Sequence, residues 1–176
     1  MLHDKYLSSY HFYEKHTIEI SAPPSKIYSL ICELDVSGSR IVRFLFALRG
    51  IPTSTARGID GWKKMGFTVL EEQPHREIIL GLIGQFWKPG GEIQRSTQEG
   101  FSSFNDTNFA KTTWNFEIIP IANNKTIVGT ETRIFCGAEP IRRKFARYWF
   151  FIRPFSGIIR KEILKIIKQK SETSTR

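Results

Sequence analysis

The sequence predicts one α+β domain: a curved antiparallel sheet gripped by a long C-terminal helix, with two short helices after the first strand. Three observations predict it. Strand-like segments run one after another through the middle of the chain instead of alternating with helices. Two short helical patterns separate the first strand from the rest. The last thirty or so residues hold one helical periodicity, which at ~1.5 Å per residue makes a helix of ~45 Å, long enough to cross a domain of this size.

"HFYEKHTIEI" (11–20) alternates and turns β-branched, which predicts the first strand. "SAPPSKIYSLICEL" places two prolines at a turn and helix start, then Ile27, Leu30, Ile31 and Leu34 at helical spacing. In "SGSRIVRFLFALRG", Ile41, Leu45 and Leu48 align on a second short helix, which Gly50-Ile51-Pro52 stops. Residues 53–65, rich in Ser, Thr and Gly, predict loop with a short strand. "GFTVLEE" (66–72) and "REIILGLIG" (76–84) form a hairpin around Gln73-Pro74-His75. Residues 92–105 are polar and weakly patterned, which predicts a strand and a loop. "AKTTWNFEIIP" and "KTIVGTETRIF" form a second hairpin around Ala122-Asn123-Asn124-Lys125. Residues 1–170 make the domain and 171–176 a flexible tail.

The 176 residues are 40% apolar and 13% aromatic, with fourteen Phe, so the chain can fill a full core. Cys32 and Cys136 sit in apolar contexts without metal-type spacing and are expected as buried, reduced thiols. "MLHDKYLSSYHFYEK" has no apolar core of a secretory signal, so the cytoplasm is the expected compartment. The net charge of +9 is unevenly placed. Residues 142–176 hold eleven Lys/Arg against two acids, and the first 141 residues hold fifteen of each sign. Any attraction for anions is therefore local to the C-terminal helix.

On that helix Phe145, Tyr148, Trp149, Ile152, Phe155, Ile159, Ile163, Ile166 and Ile167 share a stripe about 120° wide that should meet the sheet. Arg147, Lys161, Lys165 and Lys168 lie opposite. Phe150, Phe151, Ile158 and Leu164 flank that outer side, either packed under loops or exposed to a partner. Pro154 removes one helical hydrogen bond and should kink or divide the helix.

"TIEISAPPSKIYSLICELD" resembles the first strand and helix of the START-like superfamily, also called helix-grip or SRPBCC, which includes lipid-transfer domains, plant hormone receptors and polyketide cyclases. "LGLIGQFWKPGG" (80–91), "VGTETRIF" (128–135) and "RYWFFIRPFSGIIRKEIL" (147–164) are similar to an uncharacterised bacterial branch of it. The resemblance runs from Thr17 to about Lys168. It implies a cavity between sheet and long helix for an apolar or amphipathic small molecule, and leaves the activity open, because one fold hosts many functions.

Under that resemblance Trp62, Phe67, Phe86, Trp87, Trp114, Phe116, Phe145, Trp149 and Ile152 are the candidate lining residues. In "GTETR", Glu131 and Arg133 share one side of a strand with Ile127 and Phe135. Turned inward, they would be a buried pair able to hold a polar ligand head.

Catalytic motifs are missing: no GxSxG elbow, no HExxH and no paired-carboxylate signature. His3, His11, His16 and His75 have no metal-ligand spacing, and "GLIGQFWKPGG" matches no phosphate loop. No cofactor is expected. Non-covalent ligand binding is the leading expectation, a polyketide cyclase or dehydratase-like enzyme the alternative. An anionic membrane docked on the basic helix is the second alternative. Nucleic acid is not expected, because no recognition motif accompanies the charge.

Overall fold

The computed structural model describes residues 1–48, 58–88 and 91–173. The expected helix stop at residues 50–52, the first part of the expected 53–65 loop, and Pro89-Gly90 lie outside the described residues, as do the side chains of Leu45 and Leu48.

The chain runs α1 (Leu2–Tyr6), β1 (Phe12–Ile20), α2 (Pro24–Cys32), α3 (Arg40–Leu48), α4 (Gly58–Lys64), β2 (Thr68–Gln73), β3 (Glu77–Gly84), α5 (Gln98–Ser103), β4 (Ala110–Ala122), β5 (Lys125–Cys136) and α6 (Glu139–Thr173). The strands form one antiparallel sheet in the order β1-β5-β4-β3-β2, curved beneath α6. This is the α+β helix-grip arrangement that the order of elements predicts.

Both central hairpins form where their turn residues place them. His75 and Asn124 adopt positive φ, 64° and 58°, the left-handed conformation that tight turns require. Pro24 opens α2 at its first position, where its missing N–H is harmless. Ile27 and Ile31 then turn into the core.

Three segments differ from the expectation. Residues 58–64 are helix rather than loop or strand. Two glycines weaken this segment as a helix, but Trp62 is drawn into the core against Trp114, and tertiary packing overrides propensity. Within 92–105 the main element is α5, capped by the Thr97 hydroxyl, which accepts from Gly100 N at 3.1 Å, and anchored by buried Phe101. The N-terminal residues fold as α1, whose Leu2 and Tyr6 pack with Leu70, Ile79, Ile83 and Phe101 on the sheet face away from α6.

The sheet is thus covered on both sides, and β3 is buried at every position. The face toward α6 carries the main core. Ile20, Ile78, Leu80, Trp114, Phe116, Ile118 and Val128 meet Ile27 and Ile31 of α2 and Ile159, Ile163 and Ile167 of α6.

α6 is one continuous 35-residue helix that passes through Pro154 without dividing. The predicted inner stripe is buried at Phe145, Ile159, Ile163 and Ile167 and half-buried at Tyr148, Trp149, Ile152, Phe155 and Ile166. Leu164, expected on the flank, is fully buried in the same core. The helix runs three residues into the expected tail, with Ser171 buried and its hydroxyl donating to Ile167 O at 2.7 Å. Among the described residues no helix is long and apolar enough to cross a membrane.

Candidate functional site: a polar belt beneath the long helix

Side chains alternate along a strand, so each strand sends every second residue toward α6. On β1 these are Phe12, Glu14, His16, Ile18 and Ile20. On β5 they are Val128, Thr130, Thr132, Ile134 and Cys136. On β4 they are Ala110, Thr112, Trp114, Phe116 and Ile118. Both ends of each series are apolar. The polar residues fall in the middle of β1 and β5 and beside Trp114 on β4.

Register joins these positions into a belt. Glu14 pairs with Thr132, which pairs with Trp114; His16 pairs with Thr130; and Ile134 pairs with Thr112. From above, α6 lays the buried Ser156 and Gly157 on the belt. A Cβ at Gly157 would stand 2.5 Å from Glu14 Oε1 and 3.5 Å from His16 Nε2, so a side chain there would have to push the Glu14 carboxylate aside.

Within the belt, His16 Nε2 lies 2.9 Å from Glu14 Oε1, and the Trp114 indole N–H donates to the Thr130 hydroxyl at 2.7 Å. Arg160 of α6 brings its guanidinium carbon 5.3 Å from the centre of the Trp114 ring. Two oxygens stay unsatisfied. Glu14 Oε2 and Thr132 Oγ1 are buried, on residues only 9% and 5% exposed, with no hydrogen-bond partner among the described residues. Gln85 Oε1, just past the end of β3, is in the same condition. A buried polar group left unpaired costs about 1–3 kcal/mol, so such atoms point to a role beyond folding.

Aromatic clusters close both ends of the belt. At one end Trp62, Phe67, Trp114 and Phe116 interlock, with Trp62 and Trp114 edge to face at 4.7 Å and Trp114 and Phe116 at 5.1 Å. At the other end Phe145 stacks on Trp149 at 5.9 Å and meets Trp87 at 6.2 Å and Phe12 at 5.1 Å, and Phe86 packs in the same group. Ile152 sits half-buried on the inner stripe of α6. Nine of the eleven candidate residues therefore lie on the α6 side, divided into two groups by polar residues that the sequence reading did not single out. The signal was present: in "HFYEKHTIEI" Glu14 and His16 are in phase with Phe12, Ile18 and Ile20, and polar residues in phase with an apolar face are buried with it.

Glu131 and Arg133 do form a buried pair, but on the sheet face beneath α1, while Thr130 and Thr132 face α6. Arg133 donates to Glu131 Oε1 and to Asp4 Oδ1, each at 2.7 Å, and stacks on Tyr10. His3 lies between the sheet and α1. The Glu131 carbonyl can only accept, so His3 Nε2 donates to it at 3.2 Å, and Nδ1 accepts from the Thr113 hydroxyl at 2.8 Å. Asn115 Nδ2 donates to Glu77 at 2.6 Å, and the other Glu77 oxygen accepts from Leu2 N at 3.0 Å. This network fastens the N-terminus to the sheet. Near it a cavity of about 340 Å³ opens among Tyr6, Phe104, Phe109, Lys111 and Phe135, and none of the eleven candidates lines it.

No protein-family model matches the chain. No curated protein matches it. Similar solved structures include the protein XoxI of Bacillus cereus, at 12% identity and TM-score 0.37 over 94% of this chain and 99% of that one. A Streptomyces aromatase/cyclase, Zhui, is similar at 10% identity and TM-score 0.35, over 94% and 96%. An HSP90 activator of Plasmodium falciparum is similar at 11% identity and TM-score 0.36, over 73% and 76%.

Proposed function

We propose that the chain is a START-like carrier or sensor that binds a hydrophobic or amphipathic small molecule, without covalent chemistry, between the sheet and α6. One observation carries the reading: oxygens of Glu14 and Thr132, buried without a hydrogen-bond partner among the described residues, lie in a belt with an aromatic cluster at each end. The aromatic groups would take the apolar body of the ligand. At ~25 cal/mol per Å², some 200 Å² of ligand surface removed from water is worth ~5 kcal/mol. The belt would orient it. A carboxylate oxygen only accepts and a threonine hydroxyl also accepts, so the matching head group carries a donor: a hydroxyl, an amide or an amine. Trp62, Phe67, Trp114, Phe116, Phe86, Trp87, Phe145, Trp149 and Ile152 remain the proposed apolar contacts, with Glu14 and Thr132 in the polar role first expected of Glu131 and Arg133.

The test is recovery of the bound molecule. Protein purified without detergent is extracted with organic solvent, and the extract is analysed by mass spectrometry. A recovered amphipathic molecule with a donor head, depleted in Thr132→Val and Glu14→Gln proteins that still fold, is the expected result. Equal recovery from all three proteins would remove the belt from ligand binding.

The Glu14–His16 pair also supports a second reading, a cyclase or dehydratase-like enzyme, because a carboxylate and an imidazole in contact can pass a proton. Two recovered species that differ by one water, interconverted by the native protein and not by Glu14→Gln, would favour it. A single unchanged species would favour carriage.

A further inference from the structure

The outer side of α6 carries a second pattern. At 100° per residue Arg143, Arg147, Phe150, Phe151, Pro154, Ile158, Lys161 and Lys165 fall within about 100° of arc, and every one of them is exposed. The apolar members occupy the centre. Phe150 is 77% exposed, Phe151 69% and Ile158 45%, and the two phenyl rings stand edge to face at 5.4 Å. The cations occupy the ends, Arg143 and Arg147 on one side and Lys161 and Lys165 on the other, with ~33 Å of helix between the first and the last. No acid lies in the stripe. Glu139, one turn before it, is engaged by Arg142 and Arg143, and Glu162 accepts from the Ser39 hydroxyl at 3.1 Å on the α3 side. α3 extends the theme with Arg40, Ile41, Arg43 and Phe44, all exposed.

Two large rings bared side by side on a helix that buries its other face are not core packing. Their cost in water is offset only by a partner that takes apolar groups at its centre and cations at its edges.

We propose that this stripe docks α6 flat on an anionic lipid surface, with Phe150, Phe151, Pro154 and Ile158 set into the acyl boundary and the four cations on the head groups. The charge placement agrees, because the entire excess of positive charge belongs to residues 142–176. A nucleic acid would reward the cations but has no use for Ile158 and Pro154, and a protein partner would need an apolar patch of its own ringed by acids to match the stripe. The helix lies on the bilayer rather than across it, being too charged to span. This inference does not depend on a ligand beneath the helix, although the stripe is centred over Ser156 and Gly157, the point where α6 meets the belt.

The full chain is sedimented with vesicles of phosphatidylcholine alone and of phosphatidylcholine with phosphatidylserine, at low and high salt. Binding to the anionic vesicles only, weakened by salt, is expected. The Phe150→Ser/Phe151→Ser protein should bind about tenfold less tightly, and each of Lys161→Gln and Lys165→Gln about fivefold less, at unchanged melting temperature because all four side chains are exposed. Equal binding to neutral vesicles, full binding by the Phe double variant, or retention on a soluble polyanion with none on vesicles would each overturn the proposal.

Discussion

Gly157 of α6 stands directly over Glu14 of β1, so close that a methyl group at 157 would lie 2.5 Å from the carboxylate oxygen. The Glu14 side chain thus reaches up to the backbone of α6 at the middle of the belt, and the chain accepts a glycine inside a long helix there.

An alanine at an ordinary helical glycine stabilises by up to ~1 kcal/mol. Gly157→Ala should instead destabilise by about 1–3 kcal/mol, the cost of overpacking a close contact. In Glu14→Ala/Gly157→Ala the obstruction is removed and the alanine should recover its helical advantage. Urea denaturation of both proteins measures this. A stabilised Gly157→Ala single variant would show that the contact is not tight.

Thr132→Val separates folding from binding. It keeps the shape and removes a buried hydroxyl that has no partner among the described residues, so stability should hold or rise by up to about 1 kcal/mol. Ligand recovery should fall in the same protein. A clear loss of melting temperature would mean that the hydroxyl serves the fold.

The Arg133–Glu131 pair beneath α1 should behave as a buried ion pair broken on one side. Arg133→Met leaves Glu131 without its main counter-charge and should cost about 3–5 kcal/mol. Asp4→Ala removes an exposed partner and should cost far less. Thermal melts compare the two, and proteolysis of the N-terminal segment should accelerate in Arg133→Met, since α1 loses its anchor.

His3 makes stability depend on pH. Burial holds its pKa below the ordinary 6.5, and the nearby Arg133 charge pushes the same way. The native state therefore binds fewer protons than the unfolded chain just below pH 6.5, and stability is fully present above that value and lost as the pH falls beneath it. His11, also lowered by burial, acts in the same direction. Melting temperatures from pH 8 to pH 5 should drop on the acid side, and the drop should shrink in His3→Gln. An unchanged profile in that variant would place the dependence elsewhere.

Cys136 tests the interior. Burial pushes its thiol up to about 12, so it should resist alkylation at pH 8 in the native protein and react once unfolded. Rapid labelling of Cys136 itself, located by peptide mapping because half-buried Cys32 also carries a free thiol, would show that this end of the sheet opens.

Much of this was legible in the sequence. The order of strands, the two turns at His75 and Asn124, the buried stripe of α6 and the confinement of the charge to the C-terminus all follow from local patterns in "REIILGLIG", "AKTTWNFEIIP" and "RYWFFIRPFSGIIRKEIL". The faces of the sheet did not. Alternation divides the residues of β5 into Glu131 with Arg133 and Thr130 with Thr132, but a period of two is the same viewed from either side. Only the packing of α6 on one face and of α1 on the other decided that the threonines meet the long helix and the ion pair meets the N-terminus. Apolar Ile127 and Phe135 beside the pair do not identify the α6 side, because both faces of the sheet are covered. Trp62 entered the core through a helix its glycines disfavour, because contact with Trp114 lies fifty-two residues away in the chain and no local pattern records it. The belt itself is a product of register, with Glu14, Thr132 and Trp114 from three strands set in one row, and register exists only when the strands pair.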